Sequence, residues 1–229
     1  MRLAIEPFDP ARHKRGAFES GTPSIDNYLK LTARKLREAH AAAVFVVADE
    51  EGAIIGYYAL SALLVDASEM AAGKSKKLFE KFGAVPATLL AMLGVDKHWQ
   101  GQGIGKMLLA DALRRSYDAS TQVGSHCVIL DVLQDADTPK RLALYEGLGF
   151  KRCDTQTGMR MFLTMADIGA GVALPAPDAK SWGEDDFLGG DHRGARVVEY
   201  HQGVVRGARL WFQRGDAGHP LGEIGRAHV

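Results

Sequence analysis

The stretch WQGQGIG, residues 99–105, holds three glycines in five positions, ahead of the segment KMLLADALRRSYDA, residues 106–119. Glycine destabilises a helix interior by about 1 kcal/mol relative to alanine, so its concentration where a helix is predicted to begin needs a reason. One reason is a tight turn. The other is that a negatively charged group approaches the backbone, which glycine leaves unobstructed.

The flanking sequence favours an anion-binding helix start. The apolar segment ATLLAMLGVD, residues 87–96, predicts a strand before the glycines, and a helix is predicted to begin near Gly103. The first N–H groups of a helix lack partners within it and form its positive dipole end, which suits a phosphate. Lys106 opposes that dipole in the first turn, a choice that a bound pyrophosphate explains. We therefore predict that the backbone of residues 102–106 binds a diphosphate.

Two other phosphate-binding motifs fit poorly. A Rossmann G-x-G-x-x-G follows the first strand, with an acidic residue about 20 positions later. Here the spacing is G-x-G-x-G after the fourth predicted strand. A P-loop requires G-x-x-x-x-G-K-[ST], but Met107 follows Lys106 and Gln100 occupies the position of the first glycine.

Hydrophobic periodicity predicts further elements on both sides of this stretch, in the order β α ββ (α) β α β α ββ. The remaining predicted strands are RLAIEPF (2–8), AVFVVAD (43–49), AIIGYYALSALLV (53–65), SHCVILDV (125–132), KRCD (151–154) and GMRMFLTMA (158–166). The remaining predicted helices are TPSIDNYLKLTARKLREA (22–39), SKKLFEKFG (75–83) and TPKRLALYEGLGF (138–150). This order predicts an α/β protein with a mixed sheet and helices on both faces.

Composition restricts the classes of function. No run of about 18 apolar residues would span a membrane, and the N-terminus has no apolar region of a secretory signal. The two cysteines, Cys127 and Cys153, form neither a disulfide framework nor a metal site, so we expect a cytoplasmic protein without a metal. With 28 basic and 28 acidic residues, net charge alone does not indicate nucleic-acid binding.

The periodic signals stop near residue 166. Residues 167–229 contain scattered apolar residues without a period of 2 or 3.6, which predicts a disordered tail. Its last residues, EIGRAHV, look like a translated sequencing adapter, so part of the tail is expected to be artefactual. The predicted domain is therefore residues 1–166.

Two motifs resemble a known family, the GNAT-type N-acetyltransferases. QGQGIG, residues 100–105, matches the signature Q/R-x-x-G-x-G/A and follows the strand LAMLGVD, while LYEGLGF, residues 144–150, resembles the late FYxxxGF segment of that superfamily. The resemblance covers residues 1–166. It implies the GNAT fold, with about six or seven mostly antiparallel strands that splay apart where acetyl-CoA binds.

Four further segments are similar to the acetyltransferase toxins of toxin–antitoxin pairs: FESGTPSIDNYLKLTARK (18–35), GYYALSA (56–62), GVDKHWQGQGIG (94–105) and RMFLTMA (160–166). Those toxins acetylate the amino group of aminoacyl-tRNA and are neutralised by ribbon–helix–helix antitoxins, and the likeness also suggests a homodimer. Ser20 departs from the cysteine or aspartate usual there, and residues 131–145 form a longer connection than is usual. The extra length leaves open which residues there contact the pantetheine arm.

The resemblance implies a role for each part of the site. Tyr145 would protonate the leaving CoA thiolate, although a half-buried aromatic on an amphipathic helix is the alternative. Backbone near Gly94, Val95 and Asp96 would polarise the thioester carbonyl. The predicted cofactor-binding residues are Val95, Asp96, Gly101, Gln102, Gly103, Ile104, Gly105 and Lys106.

The roles of several other residues have two possible interpretations. Asp96 and His98 could assist deprotonation, but we favour a solvated loop pair, because an α-amino group with a pKa near 8 needs no strong base. Ser61 either meets substrate or only lines the sheet. Basic side chains on two predicted helices either contact tRNA or form solvated faces; these are Lys30, Arg34, Lys35, Arg37, Lys74, Lys76, Lys77 and Lys81.

Three functions therefore stay open at the level of sequence. The first is a toxin that acetylates aminoacyl-tRNA and inhibits translation. The second is a general GNAT enzyme that acts on a small amine or a protein N-terminus. The third is an inactive GNAT domain used for binding.

Overall fold

The computed structural model describes residues 3–71 and 73–171, which form a single seven-stranded sheet in the order β1-β2-β3-β4-β5-β7-β6. The strands are β1 Ile5–Pro7, β2 Ala43–Ala48, β3 Ile54–Asp66, β4 Ala84–Val95, β5 Cys127–Asp131, β6 Lys151–Arg152 and β7 Arg160–Thr164. The helices are α1 Pro23–Asn27, α2 Ala33–Glu38, α3 Lys74–Phe79, α4 Ile104–Ser120, α5 Thr138–Gly147 and α6 Met165–Gly169. Single turns of 3-10 helix cover Ala67–Glu69 and Lys97–Trp99.

The strand pairing confirms the expected mixed, mostly antiparallel sheet. β4 and β5 are parallel, and the other neighbouring pairs are antiparallel. The parallel pair needs a crossover, and α4 supplies it, packing on the sheet through Leu108, Leu109 and Leu113.

The sheet splays apart between its two parallel strands. β4 pairs with β5 only over Ala87–Leu89, opposite Cys127–Ile129, and then continues alone to Val95. On its other side β4 stays paired with β3, but the register shifts so that Ala91 is an extra residue, a β-bulge. A bulge bends and twists its strand, and here it lies where β4 leaves β5. We call the resulting opening the gap.

The two faces of the sheet carry separate cores, because successive strand residues point to opposite faces. Leu90, Leu93 and Val95 pack with α4 and α5 on one face, the α4/α5 face. Leu89 and Ala91 pack on the other, the N-terminal face, together with residues of the first helical segment, residues 23–38. Helices therefore cover both faces, as predicted.

The first helix is less regular than its sequence indicates. The predicted helix 22–39 is helical from Pro23 to Glu38, but Tyr28–Thr32 form a wider π turn between α1 and α2. Gly94 allows the close contact of this segment with β4, since a Cβ on Gly94 would overlap the side chain of Ile25.

The end of the domain differs from the prediction. β7 stops at Thr164 rather than reaching residue 166, because the Thr164 side chain caps a helix by accepting a hydrogen bond from the Asp167 N–H at 3.1 Å. That helix, α6, crosses the predicted boundary at residue 166. The tail prediction lies, beyond residue 171, outside the described residues.

Candidate functional site

The glycine-rich turn leads directly into α4. Gly103 is the N-cap residue, with φ +82° and ψ −7°, and Gly101 has φ +78°. Side chains rarely adopt such left-handed conformations, so these two positions require glycine for the turn itself. A Cβ at either position would meet no atom within 4 Å, so the backbone there lies open on one side.

Four consecutive peptide N–H groups at this turn are left without an acceptor in the described chain. Within the described residues, the N–H groups of Gln102, Gly103, Ile104 and Gly105 donate to no protein acceptor. Lys106 differs from the prediction, because its N–H already donates to the Gly103 carbonyl at 3.0 Å. Only its exposed side chain is left for an anion.

The end of β4 presents a further donor to the gap. The Asp96 N–H donates to the Ile55 carbonyl at 2.8 Å, on the β3 side. Because consecutive residues of an antiparallel ladder direct their peptide groups to opposite sides, the N–H and carbonyl of Val95 point toward the gap. The Gln100 side chain donates to that carbonyl at 3.0 Å and to the Ser20 carbonyl at 2.8 Å. The Val95 N–H therefore remains directed into the opening.

Asp96 is a buried structural residue rather than half of a solvated loop pair. It is 8% exposed, and its carboxylate accepts hydrogen bonds from the Glu19 N–H at 2.9 Å and the His98 N–H at 3.0 Å. His98 Nδ1 lies 2.8 Å from the same carboxylate. Burial alone would raise the pKa of Asp96, but these hydrogen bonds outweigh it and lower the pKa. Both its amide and its carboxylate are thus used within the protein.

Tyr145 is buried more deeply than the half-buried alternative implied. It is 4% exposed on α5, and its ring packs edge-on against Phe150 with centroids 5.6 Å apart. It shares the α4/α5-face core with Val95 and Ile104, the residues that flank the open backbone groups. The tyrosine and the glycine-rich turn thus belong to one face of the sheet.

The remaining candidates are placed as follows. The Ser61 hydroxyl is buried and without a hydrogen-bond partner in the described chain, and Trp99 packs partly buried against the α4/α5-face core. Cys127 is a core residue, and burial raises the pKa of its thiol to about 12. Gly149 follows α5 with φ +89°, so the chain turns there and the helix ends before the predicted residue 150.

Some of the basic side chains that were predicted to contact tRNA are already engaged within the protein. Arg34 pairs with Glu38 at 3.3 Å, and Lys76 donates to the Ser68 carbonyl at 3.2 Å while lying 3.9 Å from Asp154. These contacts hold α2 and α3 locally. Lys35, Arg37, Lys77 and Lys81 are exposed and Lys30 is half-buried.

The sequence did not predict a network of hydrogen-bonded ion pairs centred on Arg160. Its guanidinium makes two hydrogen bonds to the Asp131 carboxylate, at 2.7 and 2.8 Å, and one to Glu69 at 2.9 Å. The bonds to Asp131 are the main reason that the pKa of Arg160 is raised. Residues that lie 91 positions apart, as Arg160 and Glu69 do, leave no local pattern, so no signal in the sequence could have found the network.

In the part of the chain that the structure describes, no helix is long and apolar enough to cross a bilayer.

Known proteins are similar to this chain in sequence and in fold. Residues 41–152 match the model of the family described as "Acetyltransferase (GNAT) domain". A Sinorhizobium fredii protein named "Probable toxin TacT" is 37% identical over 168 residues, which cover 72% of this chain and 92% of that protein. A Mycobacterium tuberculosis protein named "tRNA-acetylating toxin" is 33% identical over 52% of this chain and 69% of its own length.

Solved structures of the toxin AtaT share the fold. AtaT complexed with acetyl-methionyl-tRNAfMet has a TM-score of 0.66 at 22% identity, covering 75% of this chain and 100% of that one. A tyrosine-to-phenylalanine mutant of AtaT, bound to the C-terminus of the antitoxin AtaR and acetyl-CoA, has a TM-score of 0.60 at 22% identity over 73% and 96% of the two chains. The sequence identity with TacT, which extends over nearly that whole protein, together with this fold establishes that the chain belongs to the GNAT acetyltransferase family.

Proposed function

We propose that this protein is an acetyl-CoA-dependent N-acetyltransferase that acetylates the amino group of aminoacyl-tRNA and thereby inhibits translation. The observation that carries the proposal is the row of four N–H groups from Gln102 to Gly105 that have no acceptor among the described residues, at the start of a helix beside an opened sheet. The similarity to the tRNA-acetylating toxin supports the choice of acceptor.

The glycine-rich turn suits the diphosphate of CoA. Four N–H groups at the positive end of α4 would hold its oxygens, and the exposed Lys106 side chain adds a positive charge. The turn needs no rearrangement, since Gly101 and Gly103 already hold it open. The bound cofactor supplies an activated acetyl group as a thioester.

The N–H of Val95 is placed to stabilise negative charge on the carbonyl oxygen during transfer. A backbone donor fixed in a sheet needs no reorientation when that charge develops. Gln100 holds the Val95 carbonyl at 3.0 Å, and pairing with β3 holds Gly94 and Asp96 on either side, so the backbone at Val95 is fixed.

Tyr145 is the proposed proton donor. During transfer a C–N bond forms to the amine, the C–S bond breaks, and the departing thiolate takes a proton from the phenol. The amine needs no strong base, because its pKa near 8 leaves a substantial neutral fraction at neutral pH. The amine proton would leave to solvent, and the Tyr145 phenolate would regain a proton from solvent.

The acceptor would approach from the N-terminal face, because the α4/α5 face is assigned to the diphosphate and Tyr145. The first helical segment packs on the N-terminal face, and Phe79 of α3 packs against the same core. Exposed cations on these helices would contact tRNA phosphates; they are Lys35, Arg37 and Lys77, with Lys30 beside them.

Two partners and a compartment complete the proposal. A ribbon–helix–helix antitoxin would neutralise the enzyme, in keeping with the AtaT structure that contains an antitoxin segment. We also propose that the protein is a homodimer and acts in the cytoplasm, where charged tRNA is found.

The test is the identity of the acetylated molecule. The protein is incubated with radiolabelled acetyl-CoA and, in parallel, with charged tRNA, uncharged tRNA, a polyamine and a peptide with a free N-terminus. Label in charged tRNA alone supports the proposal. Label only in polyamine or peptide would identify a general GNAT enzyme instead, and no transfer to any acceptor would leave a binding domain.

A further inference from the structure

The segment 73–82, which contains α3, ends in an exposed aromatic ring. Phe82 is 74% exposed, whereas the next most exposed aromatic ring in the described chain, that of Tyr117, is 37% exposed. Single exposed apolar side chains are common on protein surfaces, so exposure alone assigns no role. A role has to follow from the surroundings of Phe82 and from its place in the fold.

The core supports the Phe82 ring from below. The Phe82 N–H donates to the Phe79 carbonyl at 2.9 Å, and the centroids of the two rings are 6.5 Å apart. Phe79 in turn packs edge-on against His126, with centroids 4.7 Å apart, and against the core of the N-terminal face. The Phe82 ring therefore continues that core outward into solvent.

Basic and apolar side chains form two neighbouring rows on this segment. Lys77 and Lys81 are four residues apart, as are Leu78 and Phe82, and hydrogen bonds of helical spacing continue past the end of α3. Residues four apart are neighbours on a helix surface, so a row of two exposed cations lies beside a row of two exposed apolar side chains. Glu80 is the one acidic residue of the segment and lies in neither row. We call Lys77, Leu78, Lys81 and Phe82 the α3 platform.

The α3 platform lies on the face that the proposed function assigns to the acceptor. Phe82 precedes Ala84, the first residue of β4, by two positions. From Ala84 to Leu89, where the gap opens, β4 rises roughly 17 Å at about 3.3 Å per residue. A nucleic-acid strand rises about 3.4 Å per stacked nucleotide, so a few nucleotides span that distance.

We propose that the α3 platform binds the unpaired 3′ end of tRNA, with a base stacked on the Phe82 ring and phosphates beside Lys77 and Lys81. This inference rests on the proposed function, which brings the aminoacyl group to the gap from the N-terminal face. Surfaces that bind single strands combine aromatic rings, which stack with any base, and cations, which hold the backbone. Leu78 extends the apolar surface beside the stacked base.

The size of the platform favours RNA over a protein segment. A stable protein interface covers roughly 800 Å² of each partner, and the two exposed apolar side chains of the platform supply only a small part of that area. A base needs only one ring on which to stack. The platform is therefore large enough for a nucleotide and too small for a stable protein interface.

Two substitutions of Phe82 separate stacking from simple apolar contact. Leucine keeps the apolar character without a flat ring, whereas tyrosine keeps the ring. We expect Phe82→Leu to raise the Kd for uncharged tRNA and the KM for charged tRNA about 5- to 10-fold, and Phe82→Tyr to leave both unchanged. Because Phe82 is exposed, neither substitution should alter the melting temperature.

The matched RNA control is tRNA trimmed of its unpaired 3′ nucleotides. It keeps the double-stranded stem but lacks the base assigned to Phe82, so wild type and Phe82→Leu should bind it equally. The double variant Lys77→Ala, Lys81→Ala should make the affinity for intact tRNA less dependent on salt, because fewer phosphates are neutralised.

The experiment measures the Kd of each protein for intact and trimmed tRNA by filter binding at a fixed salt concentration, and the KM for charged tRNA by steady-state kinetics. Equal Kd values of Phe82→Leu and wild type for intact tRNA would overturn the inference and leave the platform to an apolar protein partner. An equal loss of affinity for intact and trimmed tRNA would overturn it too. A wild type that binds tRNA but acetylates none overturns the proposed function instead, and the Kd comparison then judges Phe82 alone. A wild type that binds no tRNA overturns both.

Discussion

The carboxylate of Asp96 accepts a hydrogen bond from the N–H of Glu19 at 2.9 Å, although the two residues lie 77 positions apart in the chain. Two parallel contacts reinforce it: the Lys97 N–H donates to the Glu19 carbonyl at 2.8 Å, and Gln100 donates to the Ser20 carbonyl at 2.8 Å. The loop before α1 is thereby attached to the connection between β4 and α4. The buried Asp96 carboxylate therefore joins the loop before α1 to the connection that leads to the proposed diphosphate site.

Replacement of Asp96 should destabilise the protein through this junction. Asp96→Ala leaves the Glu19 and His98 N–H groups without their acceptor, and we expect the free energy of unfolding to fall by about 2–4 kcal/mol. Urea denaturation measures the loss. Asp118→Ala, which alters an exposed carboxylate on α4, should change it by less than about 0.5 kcal/mol.

The same residue gives a pH dependence with a defined sign. Hydrogen bonds lower the pKa of Asp96 in the folded state despite its burial, so its contribution is complete above its unfolded pKa of about 4 and is lost as the pH falls through the lower folded value. The stability difference between wild type and Asp96→Ala should therefore shrink below about pH 4. A difference that grows on acidification would contradict the assignment.

Replacement of Gly103 and of Gly105 by alanine should change the stability of the protein in opposite directions. Gly103→Ala forces a side chain into a left-handed conformation, which costs about 1–2 kcal/mol, and it should raise the KM for acetyl-CoA by distorting the turn. Gly105 lies within α4 at an ordinary φ, and its added Cβ would meet only Val95 Cγ2 at 3.9 Å. Gly105→Ala should therefore stabilise the helix by up to about 1 kcal/mol. Thermal unfolding and acetyl-CoA titration of both variants check the contrast.

Tyr145→Phe should lower kcat by about 100-fold, because the leaving thiolate loses its proton donor. The KM for acetyl-CoA should change little, since the aromatic ring still packs against Phe150. Tyr117→Phe, on the exposed side of α4, is the control and should keep full activity. Steady-state kinetics with charged tRNA measures kcat for both variants. An unchanged kcat in Tyr145→Phe would contradict the proton-donor role.

Arg160 should be important for stability rather than for chemistry. Arg160→Met leaves the carboxylates of Asp131 and Glu69 beside each other without their cation, and we expect a loss of about 2–4 kcal/mol for this partly exposed network. Lys140→Met breaks an exposed ion pair with Asp137 and should cost less than about 1 kcal/mol. Chemical denaturation distinguishes the two, and equal losses would refute a special role for Arg160.

Both cysteines should resist alkylation in the folded protein. Burial raises the pKa of Cys127 and of Cys153 to about 12, so very little reactive thiolate exists at pH 8. Mass spectrometry after iodoacetamide treatment should show no modification of native protein and two modified cysteines in urea. Rapid labelling of the native protein would show that one of the thiols is accessible.

The sequence by itself determined the features that depend on neighbouring residues. Hydrophobic periodicity gave the order of strands and helices, and the glycine spacing located the turn before α4, because side-chain direction and allowed φ values are local properties. It failed at the end of β7, where the capping side chain of Thr164 starts a helix that the apolar pattern does not indicate.

Only the tertiary structure decided how distant residues meet. Among the described residues it separates β4 from β5 beyond Leu89, directs the Val95 N–H into the gap, leaves the Ser61 hydroxyl without a hydrogen-bond partner, and joins the Asp96 carboxylate to the Glu19 N–H. It also joins Arg160 to Glu69. Such contacts form between segments that only the packed sheet brings together, and no periodicity along the chain encodes them.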